Sequence, residues 1–170
     1  MEALIENKVA KSGLITFDLE AFYPKSEIVE LDIAPFLFHG LMLKEKEYRE
    51  HLSNLDWSNY SDKIIAVHCS TDAILAPWSF MLVVQHASGV SKRVLKGNKD
   101  VVKNVLYYEA LQQIDWTQYA EKRVLLKGCG DKGVSDEFYA YATEKMIQAG
   151  VNRLMYGEAC STVPLFKKKK

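Results

Sequence analysis

The chain has 170 residues, of which 22 are basic and 22 are acidic, so its formal net charge at pH 7 is zero. A balanced charge gives no general field that would attract nucleic acid or a membrane surface, and we expect neither partner. A chain of this length can bury one sizeable core, which predicts a single domain over residues 1–170.

Targeting features and cysteine number predict a cytoplasmic protein. The first residues lack the basic and apolar regions of a signal peptide, and the longest nearly apolar run, residues 73–84, is too short to cross a bilayer. The chain has an odd number of cysteines, three, and is long enough to fold without disulfide bonds. Reduced thiols are therefore expected.

The first third of the chain predicts two short strands and one long helix. Partial alternation of apolar residues places the strands at residues 13–23 and 28–33. Pro35 suits the first turn of a helix, because its missing N–H costs nothing there. The inner face of this helix would carry apolar residues at helical spacing, namely Phe38, Leu41, Tyr48, Leu52 and Leu55.

From residue 63 onward, apolar runs of strand length alternate with helical patterns. The four predicted strands lie at residues 63–68, 92–97, 123–127 and 151–156. Helices are predicted between them, at residues 78–88, from Asn98 to Ile114, and from the N-cap Ser135 to Gly150. The helix at 78–88 is apolar nearly all round and should be buried. The inner stripe of the next helix would be Val101, Val105, Tyr108, Leu111 and Ile114.

This order predicts a three-layer α/β fold, with one mostly parallel sheet and helices on both faces. Residues 1–62 would add the short N-terminal strands and the long helix, residues 63–160 would form the parallel core, and residues 161–170 would be a solvated basic tail. In a doubly wound strand order, the predicted strands at 92–97 and 123–127 would flank the one at 63–68.

Two linker segments resemble each other. Residues 55–63 and 114–122 both contain Asp-Trp, two polar residues, a Tyr and a final Lys, directly ahead of an apolar strand. The likeness is compatible with an internal duplication. The favoured interpretation is a convergent linker, in which Asp caps a turn and the two aromatic residues pack on the core.

All three cysteines stand at or just beyond the end of an apolar run. Cys69, Cys129 and Cys160 would therefore share the edge of the sheet where parallel strands have their carboxyl ends. Three thiolates at one edge predict a metal site that holds zinc or an iron–sulfur cluster. The fourth ligand stays open between water and three side chains, those of His68, Asp72 and Glu158.

Two alternatives stay open beside the metal site. Cys129 begins a glycine-rich turn toward the helix at Ser135, where a lowered thiol pKa would suit a redox or persulfide-carrying enzyme. Ser135 stands where such an anion cradle would need an arginine. The other alternative is a non-catalytic binding scaffold with structural cysteines. Residues 128–133 lack the spacing of a phosphate loop, so no nucleotide motif is identified.

Four segments carry a family resemblance: residues 38–49, 69–78, 127–129 and 155–167. They resemble the signatures of an uncharacterised bacterial family, domain of unknown function 2480, and the resemblance covers nearly the whole chain. It implies that the three cysteines occupy motif positions. It also implies genes that lie near those for iron–sulfur cluster assembly, so that assembly proteins would be partners, and it implies no established activity.

Overall fold

The computed structural model describes residues 13–128, 130–158 and 161–169. The strands are β1 Leu14–Phe17, β2 Ile28–Asp32, β3 Ile64–His68, β4 Arg93–Lys96, β5 Arg123–Lys127, β6 Arg153–Glu158 and β7 Ser161–Lys167. The α-helices are α1 Glu45–Asn54, α2 Pro77–Ala87, α3 Lys99–Gln112 and α4 Asp136–Gln148. Short 3₁₀ helices are formed by Leu19–Phe22, Ala34–Phe36, Trp57–Tyr60 and Trp116–Tyr119.

The chain divides into two compact units, and the boundary between them falls within α3. The described part of the first unit is residues 13–23, 107–128, 130–158 and 161–169, and the second unit is residues 24–106. Each unit contains its own sheet, with β1, β5, β6 and β7 in the first unit and β2, β3 and β4 in the second.

The second unit is a parallel sheet covered by helices on both faces. β3 lies between β2 and β4, and both neighbours run parallel to it. On one face, Ile65 and Val67 pack with α1 and α2. On the other face, Ala66 packs with Val102 of α3. An uninterrupted apolar strand suits this position, because both of its faces are removed from water.

The first unit repeats much of this plan. β5 lies between β1 and β6, all three strands are parallel, and β7 adds an antiparallel edge strand beside β6. Val124 and Leu126 of β5 pack against α4 and against Tyr107 and Leu111 of α3. In both units, therefore, the central strand is preceded by a helix and a 3₁₀ turn and followed by a second helix.

The two linkers noticed in the sequence have the same structure. Asp56 Oδ1 accepts from Ser58 N at 3.1 Å, and Asp115 Oδ1 accepts from Thr117 N at 3.0 Å. Each turn is followed by a non-glycine residue with φ 58°, Asp62 in one unit and Glu121 in the other. Trp57 packs on the core of the second unit and Trp116 on that of the first. The predicted Asp cap and the packing of aromatic residues on the core are thus confirmed in both linkers.

The correspondence extends beyond the linkers, and this favours internal duplication over convergence. At the same separation in sequence, Leu52 matches Leu111 and Tyr48 matches Tyr107, and all four side chains are buried. Each tyrosine hydroxyl donates to a backbone carbonyl, that of Ser79 for Tyr48 at 3.1 Å and that of Leu19 for Tyr107. Burial raises the pKa of both tyrosines.

The prediction of a mostly parallel α/β fold is confirmed, but the prediction of one sheet from residue 63 onward is wrong. β3 and β4 belong to one sheet, whereas β5 and β6 belong to the other. The N-terminal strands β1 and β2 are not additions to a core, because each pairs directly with a central strand. The predicted neighbour of β3 at residues 123–127 is replaced by β2.

Three further predictions need correction. The long helix does not begin at Pro35, which stands in a 3₁₀ turn; α1 begins at Glu45, and Leu41 is 71% exposed. α2 is not buried all round, since two of its apolar side chains, Met81 and Val84, are exposed. The inner stripe of α3 is partly misplaced, because the buried residues are Val102, Tyr107 and Leu111.

The predicted tail at residues 161–170 is instead mainly strand β7. Lys168 follows it and donates its backbone N–H to the carbonyl of Asn152 at 2.9 Å. The side chain of Lys168 forms an ion pair with Glu121. The basic end is therefore attached to the first unit as far as Lys168.

Candidate functional site

A cleft opens in the second unit at the carboxyl ends of β3 and β4. It encloses about 300 Å³. Its lining combines apolar, thiol and basic side chains, namely Val67, His68, Cys69, Thr71, Ala73, Leu75, Phe80, Lys96 and the backbone at Gly97. The carboxyl edge of a parallel sheet is where open α/β folds bind ligands, because strand ends and helix N-termini meet there.

The thiol of Cys69 lies in the loop directly after β3. Its Sγ is 3.2 Å from Thr71 Oγ1, and the side chain is partly buried. Asp32, at the end of β2, fastens the same loop by accepting from Ser70 N at 3.0 Å and from Ser70 Oγ at 2.6 Å. Burial opposes ionisation of Asp32, but these hydrogen bonds and one from Ala34 N outweigh it and lower its pKa.

The opposite wall of the cleft pairs a cation with an aromatic ring. Lys96 Nζ lies 4.7 Å from the centroid of the Phe80 ring, within the range of a cation–π interaction. Among the residues that the structure describes, this ammonium has no carboxylate partner. The next residue, Gly97, has φ 138°, and a Cβ there would lie 2.6 Å from a methyl group of Val101. Glycine is required at this point because the backbone passes so close to α3.

The first unit has a smaller cleft in the corresponding place. It encloses about 180 Å³ at the carboxyl ends of β5 and β6. Two carboxylates and two phenols are prominent in its lining, which consists of Glu20, Gly128, Gly130, Gly133, Val134, Asp136, Tyr139 and Tyr156. The carboxylate of Glu20 accepts the backbone N–H of Lys132, and a Cβ on Gly130 would lie 2.2 Å from the carboxyl carbon of Glu20.

Three charged side chains beside this smaller cleft interact with one another, namely Asp18, Glu20 and Lys127. Lys127 Nζ donates to Asp18 Oδ2 at 2.8 Å and lies 3.9 Å from Glu20 Oε2. The hydrogen bond to Asp18 raises the pKa of Lys127. Burial opposes ionisation of Asp18, but hydrogen bonds from Lys127 and from Glu20 N lower its pKa. Asp18 directly follows β1 as Asp32 ends β2, but its cross-strand partner is Lys127, the last residue of β5.

Sequence separation and strand register identify equivalent positions in these two clefts, which lie 59 residues apart as far as Phe80 and 60 residues apart from β4 onward. Gly97 is opposite the end of β3 as Gly157 is opposite the end of β5, and both have positive φ. The lining positions then correspond in pairs, with Cys69 matching Gly128, Thr71 matching Gly130, Leu75 matching Val134, Phe80 matching Tyr139 and Lys96 matching Tyr156. The same framework therefore carries a thiol and a cation in one unit, and glycine and tyrosine in the other.

The prediction of a metal-binding function is wrong on the present structure. No group of three or more His, Cys, Asp or Glu side chains that could hold a metal occurs in residues 13–128, 130–158 and 161–169. Cys69 is placed in the larger cleft, whereas Cys129 and Cys160 lie outside the described residues. The iron–sulfur assembly partners that the family resemblance implies find no support either.

The three predicted fourth ligands have other surroundings. His68 is partly buried in the larger cleft, with Nε2 3.8 Å from Glu30 Oε1. Asp72 is exposed. Glu158 ends β6 in the first unit, where its charge helps to raise the pKa of Lys127. Sequence reasoning missed Lys96 and Phe80, although the glycine that ends the β4 segment was a signal that the backbone turns there.

The fold and its clefts define an α/β protein with two related units. A sequence profile of a family described as protein of unknown function (DUF2480) matches residues 3–168. The chain belongs to this family. No curated protein and no solved structure matches it. Within the part of the chain that the structure describes, every helix is too short or too polar to span a membrane.

Proposed function

We propose that the protein binds a small molecule in the cleft of the second unit. The observation that carries the proposal is the cavity of about 300 Å³ at the carboxyl ends of β3 and β4. Pockets for small ligands begin at about this volume and combine apolar walls with a few polar groups. Leu75 and Phe80 supply the apolar walls, and Lys96 and Thr71 supply the polar groups.

The proposal concerns binding and assigns no reaction. The rigid elements of the second unit hold the lining, because Asp32 fixes the loop after β3 and Gly97 fixes the exit of β4. Lining groups that are held in place lose little freedom when a ligand binds. We place this binding function in the cytoplasm, because an odd number of cysteines fits reduced thiols better than a set of disulfides.

The thiol of Cys69 offers a direct measure of occupancy. The protein is treated with iodoacetamide with and without the low-molecular-weight filtrate of a cell extract, and peptide mass spectrometry quantifies the alkylation of Cys69. A ligand in the cleft should slow alkylation of this thiol. The bound compound should then be released from the purified complex and detected by mass spectrometry.

Ala73→Trp is the test variant, because Ala73 lines the cleft and the larger ring would fill it. Ile74→Trp is the matched control, since Ile74 is 95% exposed and outside the lining. The filtrate should protect Cys69 in the wild type and the control but not in Ala73→Trp. Equal alkylation of the wild type with and without the filtrate would contradict the proposed function.

A further inference from the structure

The lining of the larger cleft contains one ammonium group, that of Lys96, and no carboxylate. None of its lining residues is acidic, and the ammonium of Lys96 has no carboxylate partner among the described residues. The nearby carboxylate of Asp32 is engaged by donors from Ser70 and Ala34. Glu30 accepts from Lys99 N at 2.8 Å and lies beside His68. A ligand with negative charge would therefore meet an unpaired cation.

The segment between Leu75 and Phe80 adds to this field. Both residues line the cleft, and α2 begins between them at Pro77. The N-cap residue Ala76 has no side chain that could accept a hydrogen bond, and the first turn of α2 contains no acid. The positive end of this helix is therefore not compensated by the protein. In the first unit, the corresponding first turn carries Asp136 and Glu137.

The cleft also offers a flat apolar surface next to its cation. The ring of Phe80 faces Lys96 at 4.7 Å, and Leu75 lies in the same lining. A bare inorganic anion would leave these apolar groups in contact with water. A ligand that also carries an aromatic ring would cover them, and aromatic rings gain from offset or edge contacts with each other.

We propose that the ligand of the second unit is an aromatic anion, whose anionic group pairs with Lys96 and whose ring packs on Phe80. This inference rests on the proposed function, because it names the chemical class of the molecule that occupies the same cleft. Lys96 and Phe80 are thus the residues that determine specificity. The first unit should not bind this class, because Tyr156 replaces Lys96 and its cleft contains Glu20 and Asp136.

Three probes separate the two parts of the proposal. Phenyl phosphate carries both the anion and the ring, inorganic phosphate carries only the anion, and phenol carries only the ring. Each is titrated against the iodoacetamide alkylation of Cys69, which is read by peptide mass spectrometry. For each variant, the rate without probe is the reference, so that a change in the intrinsic reactivity of the thiol is removed.

Phenyl phosphate should protect Cys69 at a concentration at least about tenfold lower than either partial probe, because only it uses both groups. Lys96→Gln should raise its half-protecting concentration about tenfold, as expected for the loss of a charged hydrogen bond. Lys92→Gln is the matched control, since Lys92 precedes the opposite end of β4 and lies outside the cleft. It should leave protection unchanged.

Phe80→Leu should weaken protection by phenyl phosphate and leave the weak effect of inorganic phosphate unchanged. Equal protection by phenyl phosphate and phenol, or an equal effect of Lys92→Gln and Lys96→Gln, would overturn the assignment of the anion to Lys96. Protection by a cell filtrate without protection by phenyl phosphate would overturn the ligand class and retain the proposed function. Protection by neither would reject both.

Discussion

The clefts at the carboxyl edges of the two sheets have the same position in related units and opposite chemistry. In the second unit, Lys96 stands over Phe80 with no acid in the lining. In the first unit, the matching residues Tyr156 and Tyr139 meet edge to face with ring centroids 5.5 Å apart, and Glu20 is in the lining. The repeated framework therefore determines where a cleft forms, whereas single side chains at its rim determine what the cleft can bind.

The equivalence of the two units can be tested by removing one buried leucine from the core of each. Leu52→Ala and Leu111→Ala should each lower the free energy of unfolding by about 2–5 kcal/mol, because both side chains are fully buried and removal leaves a cavity. Urea denaturation measures the change. Leu41→Ala, at a site that is 71% exposed, should change it by less than about 0.5 kcal/mol. A large loss of unfolding free energy for only one of the two buried leucines would contradict the equivalence of these positions.

A second prediction concerns the glycines at the rims. Gly97→Ala and Gly157→Ala should each cost about 1–3 kcal/mol in unfolding free energy, because both have positive φ and a new Cβ would clash with Val101 or with the Ser161 carbonyl. Gly133→Ala is the control for strain without a clash, since Gly133 has φ 58° and open space around it. Thermal and urea unfolding should show a smaller loss of stability for Gly133→Ala than for the other two variants. An equal cost at all three sites would show that close packing has no effect.

A smaller effect should distinguish Asp32, which holds the loop after β3, from Asp18, which pairs with Lys127 at the end of β5. At pH 7, Asp32→Asn should cost about 1 kcal/mol, and Asp18→Asn should cost less, because the side chain of Asp18 is 37% exposed and water screens its ion pair with Lys127. Both folded-state pKa values lie below the ordinary value of 3.8. The stabilisation is therefore complete above that pH and is lost as the pH falls through the folded-state pKa.

Salt provides the discriminating measurement for these two variants. Asp18 pairs with the charged Lys127, whereas Asp32 accepts from neutral donors on Ser70 and Ala34. The cost of Asp18→Asn should therefore shrink in high salt, and that of Asp32→Asn should not. Urea denaturation at two salt concentrations and at pH values on both sides of 3.8 tests both statements. Identical salt responses would contradict the pairing of Asp18 with Lys127.

The sequence identified local structure better than the partition of strands into sheets. The apolar runs that became β3 and β5 were recognised because a strand buried on both faces needs few polar residues. Which strand lies beside β3 depends on contacts between distant segments, and no local pattern specifies that β2 is its neighbour. The start of α1 was missed because Pro35 fits a 3₁₀ turn as well as a helix.

The two linkers alone are too short to distinguish internal duplication from convergence. Tyr48 and Tyr107 continue the likeness into the preceding helices, but they stand among surface residues that have diverged. The sequence predicts only one of the important residues of the larger cleft. Cys69 was expected at the edge of a sheet, whereas the pairing of Lys96 with Phe80 joins residues from β4 and α2 that only the folded chain brings together.

The most direct test of the central claim maps phenyl phosphate on the isotope-labelled protein by NMR. The structure predicts that the backbone amide signals of Cys69, Thr71 and Gly97 shift on titration, because these residues line the larger cleft. The equivalent signals of Gly128, Gly130 and Gly157 should stay in place. Shifts in the first unit's cleft, or shifts spread over exposed lysines with none at Cys69 and Gly97, would contradict the assignment of anion binding to the second unit.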